Sequence, residues 1–122
     1  MGQIERPTNR RPVERRRTPR YRVECWAEEY SEAGVYFHLI TNLSRDGFFV
    51  EKKLPFRKGQ TVQVRLDLPG FAPKLEAQSQ VINNYHDGHD NLRGAGFRFL
   101  NLDERGRDLI EAFIHKTHSP NG

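Results

Sequence analysis

Apolar and polar residues alternate along most of the chain with a period of two, which is typical of half-buried β-strands. The clearest alternation runs through residues 61–68, where every second position is aliphatic: Val62, Val64, Leu66 and Leu68. The same period predicts five further strands, beginning near Tyr21, Val35, Phe48, Leu75 and Leu92. Within them, the positions expected to face the core are Tyr21, Val23, Cys25, Ala27, Val35, Phe37, Leu39, Leu75, Ala77, Ser79, Val81, Ala95, Phe97 and Phe99.

Turn-forming residues separate these strands, and the period changes only near the end of the chain. Segment 83–91 is rich in Asn, Asp, Gly and His and is predicted to be a hairpin loop. Beyond it, Asp103 is a suitable helix N-cap, followed by apolar residues at helical spacing: Leu109, Ile110, Phe113 and Ile114. Six short strands and one amphipathic helix predict an all-β fold, a six-stranded antiparallel barrel whose C-terminal helix covers one open end.

Charge is distributed unevenly. Residues 1–20 hold seven arginines against Glu5 and Glu14, a net charge of +5 within a total of +4. Residues 1–14, with two prolines and few apolar side chains, are expected to form a flexible basic arm. Such an arm favours anionic partners, whether phosphate, nucleic acid or an acidic surface.

Several functional classes are disfavoured by the sequence. No apolar run approaches the ~18 residues of a membrane helix, and no secretory signal precedes the first strand. The single cysteine, Cys25, is predicted to be a buried thiol, which favours a cytoplasmic location. No nucleophile, base and orienting group fall into a catalytic pattern, and the histidine spacing around His86 and His89 fits no standard metal site. The sequence therefore predicts neither an enzyme nor a metal or cofactor site.

Two polar segments carry the candidate binding chemistry. Residues 15–20 read Arg-Arg-Arg-Thr-Pro-Arg, and guanidinium groups fork two donors toward phosphate oxygens or a guanine edge. Residues 42–47 read Asn-Leu-Ser-Arg-Asp-Gly between two predicted strands. Asn42 offers a donor and an acceptor, Ser44 a hydroxyl, and Gly47 allows a ligand to approach the backbone. Alone, the first segment fits a solvated tail equally well, and the second fits an ordinary turn better than a site.

Together the two segments resemble the PilZ domain family. The resemblance lies in Arg16-x-x-x-Arg20 followed, after one hairpin, by Asn42-x-Ser44-x-x-Gly47. It extends to the closing strand Gly94–Phe99 and to the helix after Asp103, and covers roughly residues 14–116. The expected division of the chain is an arm at 1–14, a barrel with helix at 15–116 and a tail at 117–122.

The resemblance implies a receptor for the bacterial second messenger cyclic di-GMP that signals to a downstream protein effector. It assigns ligand binding to Arg15, Arg16, Arg17, Arg20, Asn42, Ser44 and Gly47. In this picture the arginine arm wraps the ligand, and Arg15 is typical of members that bind an intercalated ligand pair. Tyr85 occupies the region where some members place a residue that packs on the ligand, and Arg98 is a further candidate contact.

Two alternatives remain open at this point. The first is a nucleic-acid-binding β-barrel, supported by the basic arm but disfavoured by the remainder of the chain, which holds 13 basic and 14 acidic residues. The second is a PilZ-like protein adaptor that has lost its ligand, against which the intact motifs argue.

Overall fold

The computed structural model describes residues 19–52 and 55–118, which form six β-strands and one α-helix. Their bounds are β1 Tyr21–Ser31, β2 Gly34–Leu43, β3 Gly47–Glu51, β4 Thr61–Asp67, β5 Leu75–His86, β6 Leu92–Phe99 and α1 Glu104–His118. The strands close into a barrel in the order β1-β2-β3-β6-β5-β4, and every neighbouring pair is antiparallel. The predicted six-stranded barrel with a C-terminal helix is confirmed.

The barrel interior is filled by the alternating apolar residues of the strands. In β4 the predicted inward set, Val62, Val64 and Leu66, is buried, and Leu68 just beyond the strand continues it. The Phe48 and Phe97 rings stack across the β3–β6 pair with centroids 4.8 Å apart. Burying aliphatic and aromatic side chains on one face of each strand supplies the main driving force for closing the sheet.

The predicted inward face of β2 is wrong. Val35 and Phe37 are 47% and 62% exposed, and Leu39 is only half-buried, whereas His38 and Ile40 are buried. The inward position that precedes Ile40 belongs to His38, whose Nε2 lies 2.7 Å from Glu29 Oε1 inside the barrel. A polar pair therefore occupies part of the interior, and the apolar positions of this hairpin face outward.

Strand β5 continues further than predicted, because Asn83–His86 pair with β6 instead of forming a loop. Two bulges in the register, between Val81 and Asn83 and between Tyr85 and His86, let the strand continue despite its polar composition. The actual loop is short. It is fixed by Asp87, whose carboxylate accepts the backbone N–H groups of His89 at 2.8 Å and Asn91 at 3.0 Å.

Helix α1 packs against the barrel, and its apolar residues belong to the same core as those of the strands. The Asp103 carboxylate accepts the Gly106 N–H at 2.8 Å and caps the N-terminus of the helix. Its inner face buries Ile110, Phe113 and Ile114, and at its C-terminus His118 Nε2 lies 2.7 Å from the Arg22 carbonyl oxygen. Within residues 19–52 and 55–118, no helix combines the length and apolarity that a membrane crossing requires.

The Cys25 thiol is 2% exposed in β1, as the predicted buried position requires. Burial, reinforced by the nearby Asp67 carboxylate, raises the pKa of this thiol to about 12. Because the thiolate is the reactive form, we expect no reaction with Ellman's reagent at about pH 8 in the folded protein and one thiol per chain after denaturation. Rapid labelling of the native protein would contradict this assignment.

Candidate functional site

Two neighbouring surface clefts lie beside the start of β1, over strands β2, β3, β5 and β6. The first has a volume of about 530 Å³ and the second about 500 Å³. They share two lining residues, Arg20 and Tyr85. The first is lined by Pro19, Arg20, Ser44, Asp46, Gly47, Phe48, Ile82, Tyr85, Gly96, Phe97 and Arg98. The second is lined by Arg20, Asn42, Phe49, Tyr85, His86 and Arg93.

Aromatic rings packed on glycines form the surface between the clefts. A Cβ at Gly94 would overlap the Val50 carbonyl oxygen and lie 2.8 Å from the Phe49 ring. At Gly96 a Cβ would lie 3.1 Å from the Tyr85 ring. The Phe49 and Tyr85 rings therefore lie close to the β6 backbone, with centroids 5.8 Å apart. Tyr85 remains 41% exposed, so a planar ligand could stack on it.

Arg20 is the one member of the predicted arginine motif within the described residues. It is exposed, directly precedes β1 and lines both clefts. Within residues 19–52 and 55–118, its guanidinium forms no hydrogen bond or ion pair. Its donors are therefore available to a bound anion. Arg15, Arg16 and Arg17 lie outside the described residues.

Asn42 is a residue of β2 rather than of the following turn, and a bulge determines its direction. The register shifts between Ile40 and Asn42, which places Asn42 opposite Phe49. Asn42 is half-buried and lines the second cleft, while its neighbours Thr41 and Leu43 are buried. In the described part of the chain its side-chain amide has no hydrogen-bond partner. The amide can therefore pair with a polar edge of a ligand.

Ser44 and Gly47 build the rigid turn between β2 and β3. The buried Ser44 hydroxyl accepts the N–H groups of Asp46 at 3.1 Å and Gly47 at 3.2 Å. A Cβ at Gly47 would overlap the Phe97 carbonyl oxygen, so the close approach to β6 requires glycine. Both residues line the first cleft, but these contacts show a role in shaping the turn. Arg45 joins this turn to α1 through Glu111, 3.1 Å away.

The lining residues that were not anticipated from the sequence as site residues include Phe49, Ile82, His86 and Arg93. The β6 pattern contained a partial signal, because inward Ala95 and Phe97 imply that Gly94, Gly96 and Arg98 face outward. Arg98 donates from Nε and Nη2 to Gln80 Oε1 at 3.0 and 2.9 Å, which holds it along the sheet beside the first cleft. The sequence pattern does not reveal the bulges in β5, so the second cleft could not be predicted from it.

The lining residues give the clefts a clear chemical character. Among the described residues, three arginines, Arg20, Arg93 and Arg98, line them against one carboxylate, that of Asp46. Positive charge beside exposed aromatic surface suits an anion that also carries planar rings. The side-chain amide of Asn42 adds a hydrogen-bonding group to the second cleft.

Comparison with known proteins gives a consistent result. The sequence matches the family model of the PilZ domain over residues 14–116. No curated protein sequence matches the chain. Among solved structures, the PilZ domain of E. coli YcgR with c-di-GMP is 18% identical with a TM-score of 0.62, over 84% of this chain and 90% of that one.

Two longer chains show the same fold. The B. subtilis inhibitor of motility, MotI/DgrA, is 17% identical with a TM-score of 0.72, and the K. pneumonia MrkH–c-di-GMP complex is 18% identical with a TM-score of 0.70. Each match covers 84% of this chain, which spans about half the length of those two: 50% and 52%. The family match over most of the sequence and the shared barrel lead to one conclusion: this chain belongs to the PilZ domain family.

Proposed function

We propose that this protein is a non-catalytic receptor for cyclic di-GMP that signals to a downstream protein. The observation that carries the proposal is the pair of clefts that share Arg20 and Tyr85 and are lined by three arginines. Two solved relatives, the PilZ domain of YcgR and MrkH, are described as complexes with c-di-GMP, which supports the same ligand here.

The chemistry of the ligand matches this surface. Cyclic di-GMP carries two phosphate charges and two guanine rings. In this proposal Arg20, which lines the second cleft, binds a phosphate or the acceptor edge of guanine, and the side-chain amide of Asn42 binds a second guanine edge. Tyr85 stacks on a base between the two clefts. Ser44 and Gly47 contribute the fixed turn that lines the phosphate side.

The arginine arm completes the proposed site. Arg15, Arg16 and Arg17 bind the ligand from the N-terminal side, and the ligand orders the arm over the clefts. Fixing backbone costs about 1–2 kcal/mol per residue. Charge-assisted hydrogen bonds, at about 1.5–3 kcal/mol each, offset that cost. The ordered arm and the occupied clefts then present a new surface to the partner protein.

Calorimetric titration of the full chain with cyclic di-GMP, beside a single-stranded oligonucleotide, tests the proposal. We expect saturable binding of the dinucleotide, with a stoichiometry that distinguishes one ligand from an intercalated pair. The Phe49–Tyr85 pair among arginines also suits single-stranded nucleic acid, which would instead bind with a steep salt dependence. No heat with cyclic di-GMP at moderate salt would overturn the proposal and favour a ligand-free adaptor.

Replacing Tyr85 with alanine should weaken cyclic di-GMP binding by about 5- to 150-fold, because base stacking on an aromatic ring contributes about 1–3 kcal/mol. Y85F is the matched control and should bind nearly as well, since it keeps the ring over Gly96. Thermal melts of both variants show whether the barrel is intact. Equal affinity of Y85A and Y85F for the ligand would contradict a stacking role.

A further inference from the structure

The outer face of β1 and its neighbouring strands carries an apolar patch with three carboxylates at its border, and Lys52 and Arg93 line the same cleft beside Glu51. Trp26 is 51% exposed on this face, and Leu39 lies beside it. Glu24, Glu51 and Asp67 are exposed around them. We call these five residues the acidic Trp26 face. Trp26, Leu39 and Glu51 line a third cleft, which adjoins the second because both contain Arg93. None of the five residues lines either ligand cleft.

Strand register places four of these residues in one row across the barrel. Asp67 pairs with Trp26, Trp26 with Leu39, and Leu39 with Glu51. Adjacent strands lie about 4.8 Å apart, so the two carboxylates flank the apolar pair at roughly 7 Å from its centre. Within residues 19–52 and 55–118, none of Glu24, Glu51 and Asp67 forms an ion pair.

A ligand that fits this row has an apolar centre and cationic groups on both sides. Indole faces also attract guanidinium groups directly. The chain itself contains such a segment: residues 10–17 read Arg-Arg-Pro-Val-Glu-Arg-Arg-Arg, with Val13 between two groups of arginines. In an extended chain, residues two apart are separated by about 6.6 Å, close to the spacing of the row.

The length of chain between the segment and β1 also fits. Val13 precedes Arg20 by seven residues, an extended reach of roughly 23 Å. Trp26 follows Arg20 by six residues, about 20 Å along β1. A segment that turned back along β1 would therefore bring Val13 to the Trp26 row and pass Glu24 on the way.

We propose that, without ligand, segment 10–17 binds the acidic Trp26 face, and that ligand binding withdraws it. The second half rests on the proposed function, since Arg15, Arg16 and Arg17 cannot serve both places at once. The receptor would then hold this face covered until the ligand arrives and expose it to the downstream partner afterwards. The arm and the ligand site compete for the same arginines.

Trp26 is the only tryptophan, so its fluorescence reports on the face in the full chain. Acrylamide quenching without ligand should be weaker in the wild type than in R10Q/R11Q, and high salt should remove the difference. D67N should raise quenching in the same way. D108N is the matched control, because Asp108 is an exposed carboxylate on α1 without an ion pair among the described residues.

Combining the variants identifies the contact. If the arm meets Asp67, adding D67N to R10Q/R11Q should raise quenching little further, whereas independent effects would add. Additive effects, or quenching equal to wild type in R10Q/R11Q, would overturn the proposal. Quenching that falls as protein concentration rises, in the wild type and R10Q/R11Q alike, would also overturn it and identify a second copy as the occupant.

Coupling to the ligand gives a separate readout. Because binding linkage is reciprocal, weakening the face should tighten cyclic di-GMP binding by about fivefold in D67N, with no change in D108N. A purely structural role for Asp67 would weaken binding instead. If D67N binds cyclic di-GMP no more tightly than the wild type, the ligand does not withdraw the segment, and that half of the proposal is overturned. If the wild type does not bind cyclic di-GMP at all, the proposed function is overturned, but the quenching test of the contact remains valid.

Discussion

Replacing Arg20 with alanine is expected to weaken cyclic di-GMP binding by about 10- to 150-fold, which calorimetry of the full chain measures directly. The size follows from losing one charge-assisted contact of about 1.5–3 kcal/mol. Arg20 lines both clefts and its guanidinium has no partner among residues 19–52 and 55–118, so the substitution removes a ligand contact without breaking an internal one. The melting temperature should therefore remain unchanged.

Two further variants separate geometry from charge at this position. R20K keeps the charge but loses the planar fork of donors, so its affinity should fall between those of the wild type and R20A. R57A is the matched control, because Arg57 is an exposed arginine in the loop between β3 and β4 and lines neither cleft. Wild-type affinity in R20A, or an equal loss in R57A, would show that the ligand does not bind in these clefts.

Replacing Ile110 with alanine should lower the free energy of unfolding by about 2–5 kcal/mol, the usual range for a buried aliphatic residue cut to alanine. Ile110 has no exposed surface and belongs to the barrel core, although α1 contributes it. The loss combines transferred apolar surface with a cavity between the helix and the barrel end. Urea denaturation followed by circular dichroism gives the value.

L100A provides the comparison, since Leu100 is an aliphatic residue that is 42% exposed just after β6. Its effect should stay within about 0.5 kcal/mol, as for most surface substitutions. If I110A lowered the free energy of unfolding no more than L100A, α1 would contribute little to stability and would not be part of the core. Arg45 bonds Glu111 on the same helix, so ligand affinity of I110A also shows whether α1 supports the Ser44–Gly47 turn.

Burial within the helix and in β4 followed directly from the sequence. Each of these elements has a single apolar face, which can be buried only by turning toward the core. In β4 this face is formed by the alternating Val62, Val64 and Leu66, and in the helix by Ile110, Phe113 and Ile114 at helical spacing. In β2 the same reasoning failed, because Phe37 is on the outside and His38 on the inside. A period of two distinguishes two faces of a strand, but it does not say which one is inward.

The candidate site divides in the same way. The sequence by itself determined the strand order of the motifs, the chemistry of Arg20 and Asn42, and the arginine-rich character of the arm. Only the tertiary structure decided that Arg20, Asn42 and Tyr85 line adjoining clefts, since they come from three separate places in the chain. The physical reason is the bulges in β2 and β5. Each bulge shifts the alternation by one residue, so side chains face outward that a regular strand would direct to its other face.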